Sequence, residues 1–258
     1  SFLRGASNPE DYIIEAKKQG YSAIGISDLS SLSGIVRAYA AARQEGIKLL
    51  TGARLNLYKC SLSRLCDLEY KNYFTANKDN YLDNIHYAED IGNSYRVPDE
   101  YSCSFELLIY PSSLDGYECL SELLTLGKTR SIKGQCYLTI EDLQLISGTS
   151  DAIIVPKDNI LESEVTLLKK YIPSHLLSLA ISQSCNVFAQ ERIDRSINLA
   201  KNFQIELVAT NNVKFHKPEY LSVCDIFSCI RHGTTLAKAG YSLQPNRERY
   251  LKAPNEIM

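Results

Sequence analysis

The sequence predicts an α/β fold, and three observations support this prediction. Short apolar runs typical of buried strands alternate with segments in which apolar residues recur at helical spacing. The connections between these segments are short, as in parallel βαβ units. The chain has 258 residues with 45% hydrophobic content, enough to bury a full core, and single α/β barrels commonly reach this length. One domain is therefore the expectation, with two domains as the alternative.

The first part of the chain predicts a helix, a strand, a second helix and a second strand. Ser7-Asn8-Pro9-Glu10 has the pattern of a capping box with proline in the first turn, so we expect a helix that ends near Gly20. The apolar run Ala23-Ile24-Gly25-Ile26 predicts a buried strand, and helical spacing then continues up to Gly46. Residues 47–58 predict the next strand.

The regular pattern is lost between residues 60 and 102, in a polar stretch that contains several tyrosines. We interpret this stretch as an insertion. Interleaved tyrosines are able to stack on bases, but acidic residues dilute the positive charge here, which favours a plain surface excursion. Strand-like alternation resumes at residues 105–110. Beyond it we expect helices near 114–126, 162–171 and 187–202, and strands near 152–155, 176–181 and 205–209.

Overall charge and cysteine usage restrict the classes of function. The formal net charge is −2 and the pI is near 6.1, which argues against binding nucleic acid through the field of the whole protein. Any contact with DNA must come from a local patch. The eight cysteines include no C-x-x-C pair, and the sequence contains no signal peptide or apolar span long enough to cross a membrane. Reduced thiols in the cytoplasm are the expectation.

Two groups of basic residues are candidates for contacts with DNA or with another domain. Each offers charge to a phosphate backbone or to an acidic protein face, although a solvated surface or a domain contact is the more common role. The first group is Lys128, Arg130 and Lys133, and the second is Arg231, Arg247, Arg249 and Lys252.

Other reactive side chains are few. His216 and His232 are possible ligands in isolation, but a capping or surface role is the commoner one for a lone histidine. Cys224 and Cys229 lie on one predicted helix, where cysteine usually acts as a small buried hydrophobe. No nucleophilic triad can be assembled from these residues, so we assign no catalytic residue.

Several separate stretches resemble, in order, the PHP domain of bacterial C-family DNA polymerases, the DNA polymerase III α-subunit type. The longest of them runs from Cys229 to Gly233 and continues from Leu243 to Lys252. Two of the matching motifs have the forms Phe2-Leu3-Arg4-Gly5 and Gly52-Ala53-Arg54-Leu55, which resemble the error-prone branch of that family. The remaining matches are 1–7, 25–28, 45–54, 116–117 with 123–128, and 209–214.

The resemblance implies a PHP-type distorted (β/α)₇ barrel. The chain begins inside a motif that follows the first strand in that family, so we expect a fragment of a longer protein, a barrel that lacks its first strand. Residues 1–230 would form the PHP-like barrel, with the polar insertion at about 60–102. Residues 231–258 would form a linker and the start of the polymerase thumb region.

The resemblance also identifies the positions at which active PHP barrels hold metal ions. Arg4 stands where the active pattern has Asp, Leu29 replaces the His after Asp28, and Arg54 replaces a Glu. Asn212 and Lys214 replace an Asp and a His. Cations and an aliphatic side chain cannot ligate a metal ion, so we expect these positions to be vacated and the barrel to hold no metal. Asp28 would then pair with at least one of Arg4, Arg54 and Lys214, or a bound anion would balance their charge.

Two hypotheses about function follow from the resemblance. The first is that the chain is the N-terminal PHP region of an error-prone DNA polymerase, which supports the thumb and palm and lacks the polymerase active site. Its partners would be the remainder of the polymerase chain and, through the parent protein, DNA, with no membrane contact. Magnesium is expected only in the absent palm domain, and no cofactor in this chain. The alternative is a free-standing PHP-type metal-dependent phosphoesterase or proofreading nuclease. Apart from these two hypotheses, we considered a stand-alone remnant that binds a partner and has no catalytic role.

Overall fold

The computed structural model describes residues 3–59, 102–131, 134–157, 160–182 and 188–257. The predicted insertion lies almost wholly outside these residues. Within them, the strands are β1 (Ala23–Leu29), β2 (Lys48–Tyr58), β3 (Ser102–Pro111), β4 (Leu138–Thr139), β5 (Ser150–Pro156), β6 (Leu177–Ile181) and β7 (Glu206–Ala209). The helices are α1 (Pro9–Lys18), α2 (Ile35–Glu45), α3 (Leu114–Thr129), α4 (Glu162–Leu168), α5 (Ala189–Phe203), α6 (Leu221–His232), α7 (Leu236–Ala239) and α8 (Pro254–Ile257).

All of the described strands belong to one sheet in the order β1-β2-β3-β5-β6-β7, with β4 paired to β2. The strands β1 and β2 run parallel, as do β5, β6 and β7. The predicted α/β class is therefore confirmed. The predicted parallel βαβ unit is confirmed for β1, α2 and β2, whereas β3 is antiparallel to both β2 and β5. Alternating burial has the same period in either strand direction, so the sequence pattern did not reveal this reversal.

The sheet is strongly curled. Four ladder steps separate β2 from β7, which would place them about 19 Å apart in a flat sheet, since neighbouring strands are spaced by about 4.8 Å. Yet Arg54 at the middle of β2 donates a hydrogen bond of 2.7 Å to Asn212, which follows β7. An arginine side chain is too short to cross a flat sheet of that width. The sheet must therefore curl so that β2 and β7 approach each other, as in a half-barrel.

The main core lies between the sheet and its helices. Side chains of β2 and β3 that alternate with Arg54 and Glu106, and therefore face the other side of the sheet, are fully buried against the apolar side of α3. A smaller apolar cluster joins α1 to α2 through Ile13, Ala16, Ala38 and Ala42. Because small alanines face each other, these two helices approach closely beside β1. Both clusters are built by the periodic apolar positions that the sequence reveals.

The N-terminus of α1 differs by one residue from the predicted capping box. Asn8, not Ser7, is the N-cap, and its backbone N–H donates a hydrogen bond of 2.9 Å to Asp11 Oδ2. The Ser7 hydroxyl is engaged elsewhere, since it accepts a hydrogen bond of 2.9 Å from the backbone N–H of His216. The shift follows from Pro9, which occupies the first helical turn and leaves Asn8 as the last extended residue.

The C-terminal segment packs onto the barrel before it reaches α8. The backbone N–H of Lys214 donates to the carbonyl of Arg249 at 2.8 Å, and that of Leu251 donates to the carbonyl of Phe215 at 3.2 Å. The Asn211 side chain donates to the carbonyl of Tyr250 in the same segment. The predicted division at residue 230 stays a prediction, but residues 248–252 are tied to residues 211–215 in this structure.

Candidate functional site

The candidate site lies where the carboxyl ends of β1 and β7 meet the middle of β2, at the end at which α/β barrels carry their active sites. The β1–β2 ladder ends with Leu29 opposite Arg54. The loop after β7 supplies Asn212 and Lys214. Three of the positions identified by sequence, Arg54, Asn212 and Lys214, are brought together here, because the positive charge of Arg54 acts on Lys214 and its guanidinium contacts Asn212.

Arg54 uses its planar guanidinium to join two elements. One nitrogen, Nη1, donates a hydrogen bond of 2.9 Å to Glu106 Oε2 on β3, and Nη2 donates one of 2.7 Å to Asn212 Oδ1. The side chains of Arg54 and Glu106 are each 21% exposed, so the pair is well shielded from solvent. The sequence analysis expected Asp28 to pair with at least one of Arg4, Arg54 and Lys214. The carboxylate beside Arg54 is that of Glu106.

Asp28 supports the start of α2. Its carboxylate accepts a hydrogen bond of 2.9 Å from the backbone N–H of Gly34, the N-cap residue of that helix, and one of 3.4 Å from the Ser33 hydroxyl. Only 8% of Asp28 is exposed. A methyl group added at Gly34 would lie 2.7 Å from the carboxylate, so the glycine allows this close approach. Asp28 therefore has a structural role at the mouth of the barrel.

Asn212 and Arg249 lie side by side. Asn212 has a left-handed backbone with φ of 45°, which asparagine adopts more easily than most residues. Its carbonyl accepts a hydrogen bond of 2.9 Å from Arg249 Nε, while its side chain accepts the bond from Arg54. Burial and the charge of Arg54 lower the pKa of Arg249 to about 10. Asn212 thus holds two arginines at the same point of the sheet.

Lys214 is a strongly perturbed cation of the site, as Arg249 is. Burial, followed by the charge of Arg249 and those of Arg231 and Arg54, lowers the pKa of Lys214 to about 8. Its Nζ forms no hydrogen bond or ion pair with any residue that the structure describes. Arg4, which the sequence reading placed in the same group, is exposed on the segment before α1.

These residues do not fit the metal cluster that active PHP barrels carry. Leu29 offers no lone pair, and Arg54 and Lys214 would repel a metal ion instead of binding it. Within the described part of the chain, no three His, Cys, Asp or Glu side chains lie close enough together to hold a metal ion. The donors that remain near the site, Asp28 and Glu106, are engaged by Gly34 and Arg54.

The first predicted basic group is divided by the structure. Arg130 forms two parallel hydrogen bonds with Asp142, at 3.0 and 2.9 Å, so its guanidinium holds the end of α3 against the following turn. Lys128 is exposed on the last turn of α3. Lys133 lies outside the described residues.

The second basic group is also mostly engaged within the protein. Arg231 donates a hydrogen bond of 3.2 Å to the carbonyl of Leu3, and Lys252 pairs with Glu248. Arg249 belongs to the candidate site, as described above. Arg247 is exposed. A contact between these residues and DNA or another domain stays a prediction.

The histidine and cysteine candidates are structural. The ring of His216 is linked through Nδ1 to the Ser7 hydroxyl at 2.7 Å, and burial lowers the pKa of His216. Its ring centroid lies 4.4 Å from that of Tyr220. Cys224 and Cys229 are buried on α6, as small hydrophobes are, and burial raises the pKa of Cys224. These placements agree with the roles expected from the sequence.

A cavity of about 520 Å³ opens beside the site, between α5 and the carboxyl ends of β5, β6 and β7. Asn212 and Arg249 belong both to its lining and to the candidate site. The lining combines apolar and polar side chains, and its cations include Lys157, Arg192 and Arg195. Sequence reasoning identified none of these three cations, and it did not identify Glu106. The only available signal for Glu106 was a single charge within the apolar run of β3.

Comparisons with known proteins agree with the resemblance seen in the sequence. The PHP domain family matches residues 1–210. An error-prone DNA polymerase of Caulobacter vibrioides is 31% identical over 260 residues, covering 100% of this chain and 20% of that protein. Error-prone DNA polymerase 2 of Agrobacterium fabrum is 31% identical with the same coverage. The chain therefore spans a fifth of the length of these relatives.

Similarity to solved structures is weaker. A structure from Bifidobacterium adolescentis overlaps 79% of this chain and 81% of its own, with a TM-score of 0.48 and 11% identity. An amidohydrolase from Chromobacterium violaceum overlaps to the same extents with a TM-score of 0.42 and 15% identity. No helix in the described part of the chain is long and apolar enough to span a membrane. With the family matching most of its length, the chain belongs to the PHP domain family.

Proposed function

We propose that this chain is the PHP region of an error-prone DNA polymerase, in which it is a metal-free structural domain that supports the rest of the polymerase. The observation that carries this proposal is the guanidinium of Arg54, which stands at a metal-ligand position and binds Glu106 and Asn212. Where an active barrel places a metal ion, this chain places a cross-link between β2, β3 and the loop after β7.

The relatives support the polymerase part of the proposal. Their matching segments are parts of much longer chains, since this chain covers 20% of each. In the proposed parent protein, nucleotidyl transfer on a DNA template takes place at magnesium ions held in a palm domain outside this chain. Synthesis past damaged bases during DNA repair, in the cytoplasm, is the activity that we propose for the whole protein.

The candidate site argues against the alternative of a metal-dependent phosphoesterase or nuclease. Such an enzyme needs a metal ion to activate water and to stabilise the charge that develops on the phosphate. The side chains at the ligand positions bring positive charge, but none of Leu29, Arg54 and Lys214 donates an electron pair to a metal. The chain also lacks, in its described residues, a replacement set of ligands.

The experiment compares the 258-residue chain with the product of the longest reading frame that contains it. We expect the longer protein to extend a primer with magnesium and nucleotides, past an abasic site as well as on intact template, and the shorter chain to do neither. Neither protein should hydrolyse bis(p-nitrophenyl) phosphate faster when manganese or zinc is added. Metal-stimulated hydrolysis by the shorter chain that is lost in a Glu106→Gln, Asp28→Asn variant would support the phosphoesterase and refute a metal-free domain.

A further inference from the structure

Four cationic side chains meet at the mouth of the barrel, and we call them the cation cluster: Arg54, Lys214, Arg231 and Arg249. Their mutual influence is visible at Lys214, on which the charges of the other three act. They come from four separate places in the sequence: β2, the loop after β7, the end of α6, and the segment before α8. Their meeting is therefore a product of the fold and not of a local basic run.

Backbone hydrogen bonds fix the cluster in place. Lys214 donates its backbone N–H to the carbonyl of Arg249 at 2.8 Å, and its own carbonyl accepts from Ala6 at 2.8 Å. Arg231 binds the carbonyl of Leu3 in the same N-terminal segment at 3.2 Å. Arg249 and Arg54 are joined through Asn212, as described above. The backbone segments that carry Lys214 and Arg249 are thus held next to each other.

Negative charge at this point is limited. Glu106 is the carboxylate that acts on Arg249, and it is already bound by Arg54. The other acidic group that faces Lys214 is the thiol of Cys224, whose pKa is raised by burial, so it is neutral near pH 7. Asp28 caps α2 nearby. The pairing of Arg54 with Glu106 leaves Lys214 and Arg249 without a carboxylate partner in the described part of the chain.

The side chains of Lys214 and Arg249 also have N–H donors that bind no acceptor among the described residues. Lys214 Nζ has three donor hydrogens and uses none of them on a described residue, although Lys214 is half-buried. Arg249 uses Nε on Asn212 and one Nη1 contact, of 3.4 Å, on Gln244. Donors of both residues therefore remain for a further acceptor, and such an acceptor would offset the partial loss of water around the two charges.

We infer that Lys214 and Arg249 form the centre of a binding site for a small oxyanion of the phosphate type, in the place where active PHP barrels hold metal ions. The lysine supplies a compact point charge and the arginine a planar fork, the combination that suits the oxygens of phosphate. Arg54 and Arg231 add positive charge that acts on Lys214. Arg249 also lines the 520 Å³ cavity, which gives the anion a route from solvent.

The phosphate has two possible sources, free inorganic phosphate and a phosphodiester of single-stranded DNA. Both present oxygens of the same chemistry to the two cations, but a phosphodiester must reach them through the cavity with its sugars attached. The site does not depend on the activity proposed above, because it requires only the fold of this chain. Its failure and the failure of the polymerase proposal are therefore separate results.

The experiment measures the unfolding temperature of the 258-residue chain at pH 7 as phosphate is raised from 0 to 20 mM, with sodium chloride adjusted to constant ionic strength. The same titration is run on Lys214→Met, which keeps the length of the side chain and removes its charge, and on Lys214→Arg, which keeps the charge. The control is Lys48→Met, an exposed lysine at the opposite end of β2. A second series replaces phosphate with a thymidine oligonucleotide, and a third with chloride alone.

We expect a saturable rise in unfolding temperature for the wild type, for Lys214→Arg and for Lys48→Met, and at least a fivefold weaker apparent affinity for Lys214→Met. Because each variant is compared with itself without phosphate, a change in its basal stability does not affect the result. A rise with phosphate but not with the oligonucleotide assigns the site to the free ion, and the reverse assigns it to the DNA backbone. An equal rise in Lys214→Met, no saturable rise, or the same rise with chloride overturns the proposal.

Discussion

Arg54 and Glu106 form an ion pair across β2 and β3, with 2.9 Å between Nη1 and Oε2. The pair lies among the other cations of the site, so its two members are not equivalent. Glu106 reduces the repulsion between Arg54 and Arg249, because its charge acts on both. Arg54 adds to that repulsion while it joins β2 to Asn212. Removing the charge of Glu106 should therefore destabilise the fold more than removing the charge of Arg54.

We expect Glu106→Gln to reduce the free energy of unfolding by about 2 to 3 kcal/mol, and Arg54→Met to reduce it by about 1 kcal/mol, since an unpaired shielded cation is the costlier outcome. Urea unfolding at pH 7 in buffer without phosphate measures both values. The exposed pair of Arg37 and Glu10, 2.6 Å apart, provides the control, because Arg37→Met should change the stability by less than 0.5 kcal/mol, roughly the limit for surface pairs. A larger loss in Arg54→Met than in Glu106→Gln would contradict this ranking.

The Arg54 and Glu106 pair also shows which part of the site could be predicted from the sequence. Motif resemblance identified Arg54, Asn212 and Lys214, and the structure brings them together. The partner of Arg54 is 52 positions away in the sequence, and its position depends on how β2 pairs with β3. That pairing is antiparallel, and the alternation of buried residues such as Phe105 and Leu107 is the same in either direction.

Local signals were reliable where local physics decides the outcome. The end of α2 at Gly46, with φ of 65°, follows from the ease with which glycine adopts the left-handed C-cap conformation. The start of α1 was shifted by one residue because Ser7 and Asn8 are both good N-cap residues. The choice between them depends on His216, which takes the Ser7 hydroxyl and comes from a distant part of the chain. Tertiary contacts of this kind are not encoded in any short window.

The lowered pKa of Lys214 predicts a specific dependence of stability on pH. Its folded pKa of about 8 lies below the usual value of 10.5, so between these two values the unfolded state binds more protons than the folded state. Stability due to Lys214 therefore rises with pH across that window. Below pH 8 the charged lysine exerts its full destabilising effect. We expect Lys214→Met to be more stable than the wild type at pH 7 without phosphate.

The difference in unfolding free energy between Lys214→Met and the wild type should shrink as the pH rises from about 8 towards 10.5, because Lys214 then loses its destabilising charge. Urea unfolding of both proteins at intervals of half a pH unit provides the measurement, and taking the difference removes the titration of tyrosines and other lysines. Lys48→Met, at the exposed start of β2, should show no such trend. If the difference in unfolding free energy stayed constant from pH 7 to pH 10, the charge of Lys214 would not be destabilising the fold.

Two glycines of the first strands are required by the position of Tyr110. A methyl group added at Gly52 would lie 2.5 Å from the backbone oxygen of Ile109 and 2.6 Å from the Tyr110 ring. One added at Gly25 would meet only the Tyr110 side chain, at 2.9 Å. Backbone cannot move as easily as a side chain, so we expect Gly52→Ala to cost about 3 kcal/mol and Gly25→Ala about 1 kcal/mol.

Thermal and urea unfolding of the two alanine variants tests this ranking. Gly5→Ala is a suitable control, because its added methyl group would lie at an ordinary contact distance of 3.4 Å from its nearest neighbours. The double variant Gly25→Ala, Tyr110→Ala should lose less stability than the sum of its two single changes, since the clash disappears with the ring. Strict additivity would indicate that the Tyr110 ring is not what requires Gly25.

A substitution at Arg130 tests whether this residue has a structural role or a role in binding DNA. Its fork forms two hydrogen bonds with Asp142, and Asp142 Oδ2 also accepts the backbone N–H of Thr139 at 2.7 Å. A lysine cannot reproduce the two parallel bonds. We therefore expect Arg130→Lys to lower the free energy of unfolding by about 1 kcal/mol, although its charge is unchanged.

Lys128→Met is the matched control, since it removes a charge from the exposed last turn of the same helix without breaking a described contact. Its unfolding free energy should stay within about 0.5 kcal/mol of the wild type. If the end of α3 contacts DNA, Lys128→Met would instead weaken oligonucleotide binding and reduce its dependence on salt, because each phosphate contact contributes to that dependence. Arg130→Lys with unchanged stability, together with weaker binding of DNA, would show that the Asp142 pair is secondary to a role in recognition.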